Sequence, residues 1–236
     1  MKHALFFGMN YKKKPYALQG CVNDSKMLAE FFRKNGFSID MNIDSCRSCM
    51  LQKLNDLVEL SNKNPGLQAI IQYSGHGTQV KDTNGDEADG LDECLCPYDV
   101  DTAGVITDDE LKSIVSKLHP NSRVIFLIDA CHSGSILDLK NTDKIPVICI
   151  SSCTDEQTSE EKPITTYFGG HKQSQIHGDM TMAFMFAQKF MNESLPEWLK
   201  KTQGFLNQLT KTQKIVISGC NFTGSFWEFF EAKNIF

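Results

Sequence analysis

Arg123-Val-Ile-Phe-Leu-Ile-Asp-Ala-Cys-His-Ser-Gly134 is the stretch from which the rest of the chain can be read. Val124–Ile128 is a short apolar run rich in β-branched residues, the pattern of a strand buried on both faces. It breaks abruptly into Asp129, Cys131, His132, Ser133 and Gly134, so these side chains belong at the carboxyl edge of a sheet. In open α/β sheets that edge is where ligands bind. Cys131 is therefore a candidate nucleophile, provided the remaining chain supplies a base, an oxyanion site and a pocket.

Outward from this stretch, strands alternate with helices. Ala4–Met9 reads as a first strand, Phe37–Ile43 as a second and Leu67–Tyr73 as a third. Pro146–Ser151 and Lys214–Ser218 read as two more after the opening stretch. Between the first two strands, Met27, Leu28, Phe31 and Phe32 recur at helical spacing, with Asn23 or Asp24 as the expected N-cap and Gly36 as the stop. Ser45 or Ser48 is the expected cap of a second helix carrying Leu51, Leu54, Leu57 and Val58. Thr107-Asp-Asp-Glu110 reads as a capping box. Met180–Met191 and Pro196–Leu209 read as two further helices. Roughly Thr78–Val105 is expected to form one long, acidic, functional loop. This alternation predicts an α/β fold with a mostly parallel central sheet flanked by helices. A single domain is expected over 1–236, with a large region over 1–155, an exposed loop over 156–177 and a small region over 178–236.

The totals narrow the function. The 236 residues can bury one sizeable core. A net charge of -5 argues against a nucleic-acid module, which would carry a basic footprint. No apolar run approaches the length of a membrane span, and the N-terminal apolar segment is too short for a signal peptide. The nine cysteines are irregularly spaced. Cys46-Arg-Ser-Cys49 has the form of a metal or redox motif but lacks a second half. Free thiols in a reducing, cytoplasmic setting are the expectation. The Trp227–Phe230 cluster reads as core packing.

His76 lies just past the third strand, as Cys131 lies just past the opening one. Neighbouring parallel strands would bring the two together across about 55 residues of sequence, a separation similar to that of the caspase pair. An imidazole can take the thiol proton and return one to a leaving amine. Gly75 and Gly77 let the backbone approach a substrate closely. An N–H from this Gly-His-Gly turn, that of Gly77, would form an oxyanion hole with the N–H of Cys131. Taken singly, Cys131 could be a core thiol and His76 a turn residue; their joint placement favours chemistry. His132 is a rival base, but adjacent side chains at a strand end point apart. Asp24 and Asp129 raise a second question. Asp24 has a bland reading as a helix cap, whereas an acid closing an apolar strand is costly to bury without a partner. Two carboxylates converging beside the nucleophile would select Lys or Arg, the latter bidentately.

Tyr73-Ser-Gly-His-Gly77 and Asp129-Ala-Cys-His-Ser-Gly134 resemble the two signature blocks of metacaspases, the caspase-like cysteine peptidases of non-animal lineages. Ala4–Tyr11, Gly20–Asp24, Asp86–Asp92, Asp108-Asp109 and Gly178–Thr181 resemble further blocks, so the likeness covers most of the chain. It implies the caspase-like three-layer α/β sandwich, with Cys131 as nucleophile and His76 as its partner. It also implies a pocket for Arg or Lys built from Cys21, Asp24, Ser74 and Asp129. Animal caspases instead use basic residues there to hold an aspartate.

The stretch Asp82–Glu93 carries six carboxylates and no basic partner. Asp82, Asn84, Asp86 and Glu93 half fit an EF-hand, but Glu87 stands where the turn glycine belongs, and that motif is rejected. By resemblance to calcium-dependent metacaspases, Asp92, Asp108, Asp109 and Asp138 would hold Ca2+ as an activator. A solvated acidic loop is the alternative, and Asp108 and Asp109 also suit a helix first turn.

The sequence therefore leads to a calcium-stimulated cysteine endopeptidase acting on protein or peptide substrates with Arg or Lys before the cut. It would be a cytoplasmic monomer with no nucleic-acid or membrane partner and no prodomain. The rival readings are a non-proteolytic proteostasis scaffold and a same-fold peptidase specific for Asp or Asn. Lys162 precedes Pro163 and makes a poor scissile bond, so Lys144 or Lys172 are the expected self-cleavage sites. Asp179 stands where the family has a small residue.

Overall fold

The computed structural model describes residues 1–82, 85, 90–131, 133–137, 146–154, 161–168 and 171–231. In chain order the strands are β1 (Lys2–Gly8), β2 (Ser38–Ile43), β3 (Gln68–Ser74), β4 (Gly77–Lys81), β5 (Leu91–Leu95), β6 (Ile106–Thr107), β7 (Arg123–Asp129), β8 (Val147–Ser151), β9 (Glu161–Phe168), β10 (His171–Gly178) and β11 (Val216–Gly219). The helices are α1 (Cys21–Lys34), α2 (Arg47–Lys63), α3 (Val100–Ala103), α4 (Asp108–Val115), α5 (Asp179–Ala187), α6 (Leu195–Leu209) and α7 (Phe226–Glu231).

The main sheet has the strand order β11-β8-β7-β3-β1-β2. All its pairings are parallel except β11 against β8. β7, the opening stretch, is buried along its whole length near the middle of this sheet. Its side chains alternate between two cores, as the two-residue period of a strand requires. Val124, Phe126 and Ile128 face a layer formed by α2 and α4, while Ile125 and Leu127 face α1, α5, α6 and α7. Helices on both faces and a mostly parallel sheet make the expected three-layer α/β sandwich. The Trp227–Phe230 segment belongs to the second core, with Phe229 and Phe230 buried. A fully buried Phe contributes about 2–3 kcal/mol, so this aromatic end of the chain stabilises the layer over β7 and β8.

Register then aligns the strand ends. Gly8 of β1 lies opposite Ser74 of β3, and Ser74 lies opposite Asp129 of β7. His76 and Cys131 each follow two residues beyond this common edge.

Several local expectations are corrected. The acidic segment is not one loop: β4 and β5 pair antiparallel, with β6 added to β5. The segment expected as an exposed loop over 156–177 contains the β9–β10 hairpin, which returns directly into α5. Helix α1 begins at Cys21 after Gly20, so Asp24 is an interior first-turn residue rather than a cap. Helix α2 is capped by Cys46, whose sulfur accepts the Cys49 N–H, rather than by Ser45 or Ser48. Cys46 and Cys49 are joined as a disulfide, so this pair departs from the expectation of free thiols. Helix ends that keep their predicted chemistry include the Thr107–Glu110 capping box and Gly36 at φ 85°.

Candidate active site

His76 and Cys131 line one cavity of about 90 Å³ together with Asp24, Asp129, Cys21 and Ser74. The carboxyl ends of β3 and β7 therefore meet as the sequence required. Gly77 explains part of the close fit. A Cβ there would drive into the carbonyl oxygen of Cys131, so only glycine lets the β3–β4 turn pass the nucleophile. Both backbone segments proposed for an oxyanion hole thus lie against each other.

The histidine is held by residues that the sequence did not single out. His76 Nε2 lies 2.7 Å from the carbonyl oxygen of Tyr16. A carbonyl can only accept, so Nε2 carries the proton and Nδ1 is the basic nitrogen. The ring packs 4.8 Å from the Tyr11 ring and edge-on to Tyr16. Its backbone N–H donates to the Tyr11 hydroxyl at 3.0 Å, and its carbonyl accepts from the Tyr73 hydroxyl at 2.7 Å. Tyr11 also donates to the Cys96 carbonyl. Burial pushes both phenols well above their ordinary range, so they stay neutral donors here. Tyr11 has φ 52°, a left-handed backbone held in part by the Asp44 carboxylate, which accepts the Tyr11 N–H at 2.7 Å. Only a chain turn of this shape carries the Tyr16 carbonyl to the imidazole, and no sequence pattern reports it.

The four residues expected in the pocket do converge. Cys21 and Asp24 come from the first turn of α1, Ser74 from the end of β3 and Asp129 from the end of β7. Asp24 Oδ2 accepts from Ser74 Oγ at 3.3 Å and from the Gly178 N–H at 3.0 Å. Its Oδ1 is 2.9 Å from His177 Nδ1. Asp129 Oδ2 accepts from both the N–H and the hydroxyl of Thr181, at 3.3 and 3.2 Å. A Cβ on Gly178 would meet both carboxylates, at 2.5 Å from Asp129 Oδ2 and 3.0 Å from Asp24 Oδ2. The two acids are thus separated by little more than the bare Gly178 backbone. Desolvation pushes Asp24 up to about 7; the His177 hydrogen bond opposes this, and the Asp129 charge adds to it. Burial likewise pushes the Cys21 thiol well above its ordinary range.

A third carboxylate at this cavity escaped the sequence reading. Glu161, the first residue of β9, accepts the Gly20 N–H at 2.7 Å and the Gln19 N–H at 3.0 Å. It therefore caps α1, for which Gly20 supplies no side chain. Asp129 does the same for α5, whose own cap residue, Gly178, is also a glycine. Asp179, the acid by which the chain departs from the pattern of the family it resembles, is fully buried and paired with Lys162 Nζ at 2.9 Å. That ammonium also donates to the Leu209 carbonyl at 2.9 Å.

The acids expected to hold a cation are distributed differently. Asp92, on β5, and Asp108, at the start of α4, are both buried. Asp108 Oδ2 lies 2.8 Å from Lys112 Nζ, while its buried Oδ1 receives no hydrogen bond from the described residues. Burial raises the Cys94 thiol to about 12, and the charges of Cys96, Asp108, Asp92 and Glu93 add to the effect. The local field is therefore negative, and the oxygen donors suit a hard cation. Asp109 instead lines an open groove between α2 and α4. Among the described residues, no three His, Cys, Asp or Glu side chains are placed to hold one metal ion. Asp138, Lys144 and His132 lie outside the described residues, as does the side chain of Lys172. No helix among the described residues is long and apolar enough to cross a membrane.

Fold and site together define an α/β protein of the caspase-like class, with a Cys/His pair at the carboxyl edge of a parallel sheet. Residues 2–140 match the model of the metacaspase, peptidase C14 domain, and the chain belongs to that family. It is 33% identical over 225 residues to metacaspase-3 of Arabidopsis thaliana, covering 80% of this chain and 59% of that one. It is 39% identical over 149 residues to metacaspase-1A of Neurospora crassa, covering 58% of this chain and 33% of that one. The chain thus spans between a third and three fifths of these two relatives. Among solved structures, protein GSU0716 of Geobacter sulfurreducens shares the fold, with TM-score 0.68 and 22% identity over 93% of this chain and 94% of that one.

Proposed function

We propose that the chain is a cysteine endopeptidase that cuts after Arg or Lys, with Cys131 as nucleophile, His76 as base and calcium as activator. The observation that carries this reading is the meeting of two buried carboxylates, Asp24 and Asp129, in the cavity that also holds Cys131 and His76. A guanidinium between them would replace solvent with two charge-assisted contacts, whereas an aspartate side chain would meet two like charges.

The chemistry follows from the tautomer. His76 Nδ1 takes the Cys131 proton, and the thiolate forms a C–S bond to the carbonyl carbon of the basic residue. The N–H groups of Gly77 and Cys131 receive the developing oxyanion. The imidazolium, steadied by the Tyr16 carbonyl, gives its proton to the leaving amine and leaves a thioester. A water deprotonated by His76 then hydrolyses that thioester and restores the thiol. When bound, calcium would supply positive charge to Asp92, Asp108, Asp109 and Asp138, ordering the segments around β4 and β5 that follow His76 directly in sequence.

Fluorogenic peptides ending in Arg, Lys, Asp or Asn, assayed with calcium and with chelator, test the reading. Turnover of Arg and Lys peptides, absent in Cys131→Ala and stimulated by calcium, is the expected result. Turnover of the Asp peptide alone would remove the acidic-pocket argument. No turnover of any peptide would remove the enzyme, and equal rates in chelator would remove the activator.

A further inference from the structure

His177 has no part in the chemistry above, yet it is 1% exposed and sits against the pocket. Its Nδ1 and Asp24 Oδ1 are 2.9 Å apart, and its buried Nε2 has no hydrogen-bond partner among the described residues. The imidazole reaches this place because His177 is the penultimate residue of β10, next to Gly178, the strand-end residue that both pocket carboxylates crowd. Asp24 thus has two faces. One oxygen is engaged from behind by an imidazole, and the other lies at the Gly178 backbone beside Asp129.

We propose that His177 and Asp24 form a proton-exchange site beneath the P1 pocket: the pair holds a proton when the pocket is empty and releases it as a cationic side chain enters. His177 is then a specificity-determining residue that makes recognition of a basic P1 group sensitive to pH. The inference rests on the basic-P1 reading and deepens it.

The argument is one of charge. Without substrate, ionised Asp24 and Asp129 would be two like charges buried a few ångströms apart, which burial penalises strongly. A proton shared between Asp24 and the imidazole, as O–H···N or O⁻···H–N, makes the pair neutral and relieves that repulsion. The 2.9 Å contact lets one proton be shared between the carboxylate and the imidazole, so the proton belongs to the pair. The empty pocket holds Asp24 near 7 through desolvation and the Asp129 charge. An arriving guanidinium supplies the compensation instead, and the proton leaves to solvent. The other groups facing the pair do not supply it. Cys21 on α1 is a neutral thiol, Ser74 on β3 is a donor, and Glu161 on β9 is committed to the α1 backbone. The Lys162 ammonium is held by Asp179 and the Leu209 carbonyl.

The sign follows from linkage. Binding favours the deprotonated pair, so affinity for a cation rises with pH until the empty pair has lost its proton, and levels off above about 7. Benzamidine, a planar cation, is the probe, titrated calorimetrically into the Cys131→Ala protein so that the catalytic thiol does not contribute, with Cys131→Ala/His76→Gln as the control for the remaining imidazole. We expect Kd to tighten about tenfold between pH 6 and pH 8. We also expect close to one proton released at pH 6, read from two buffers of different ionisation enthalpy. In His177→Gln on the same background, which keeps a donor but cannot hold a proton, the tenfold ratio should fall to about threefold or less. Equal ratios in the two proteins, or no proton release, would overturn the proposal. The proton count needs no substitution at His177, so the test survives misfolding of that variant. Arg-peptide cleavage with pH-independent benzamidine binding would remove this inference alone. Absence of both cleavage and binding would remove the basic-P1 reading with it.

Discussion

Two acidic regions of this molecule are built on opposite principles. At the pocket, Asp24, Asp129 and Glu161 each accept backbone N–H groups from a helix start or the turn leading into it, and all three line one cavity. Around β5 and α4, Asp108 has a lysine at one oxygen and, among the described residues, no hydrogen bond at the other. Carboxylates whose oxygens are engaged by fixed dipoles can stay preorganised and wait for a substrate charge. A buried carboxylate at a helix start with a lysine beside it, as Asp108 has, is held by a mobile charge rather than by fixed dipoles alone. On the proposed function, this difference would separate a recognition site from a regulatory one, although both read in sequence simply as clustered acids.

The largest expected effect that sharpens this contrast is at the pocket. Asp129→Asn removes one carboxylate charge and keeps most of its hydrogen bonding, so kcat/KM for an Arg peptide should fall by roughly 10²-fold. A fall of equal size for an uncharged P1 peptide would mean that Asp129 serves the scaffold rather than recognition.

Stability separates the regions by pH. Asp24 is raised from 3.8 to about 7 in the folded chain. Between those values the folded protein holds a proton that the unfolded chain has released. The free energy of unfolding should therefore drop as pH rises through that window, by on the order of 2–4 kcal/mol. Asp24→Asn should flatten the profile in denaturant titrations at pH 4 to 8, and an unchanged slope would reject the buried-acid account.

In the second region, Asp108→Asn should reduce the calcium-stimulated increment in peptidase rate by about tenfold or more, with the rate in chelator as reference. A calcium response identical to the wild type would show that the ion binds elsewhere. The smallest effect belongs to Glu161→Gln. Loss of the charged cap on α1 should cost about 1 kcal/mol in thermal unfolding. A change below measurement would mean that solvent replaces the cap without penalty.

How much of this was legible beforehand varies along the chain. β7 announces itself because both its faces are apolar, and the two strand-end motifs can be paired because adjacent parallel strands must end together. The hairpin β9–β10 was read as an exposed loop because its residues show neither a clear apolar alternation nor a packed face in sequence. What it contributes lies at its ends, where Glu161 reaches α1 and His177 reaches Asp24. Asn23 or Asp24 reads as the N-cap because both precede an apolar helical period, yet the helix starts at Cys21. The cap of that helix comes from a residue 141 positions away, a distance over which local pattern carries no information.

Alone, the sequence determined the layered α/β fold, the candidate nucleophile and base at neighbouring strand ends, and the acidic sign of the pocket. All three follow from short-range rules: side-chain period, strand termination and residue chemistry. Only the tertiary structure decided which nitrogen of His76 is basic, because that depends on the Tyr16 carbonyl arriving through a left-handed turn. It alone placed an imidazole behind Asp24 and a glycine between the two acids. Those are contacts between distant segments, and their energies come from burial and from the mutual satisfaction of charges and helix ends, which no stretch of chain contains by itself.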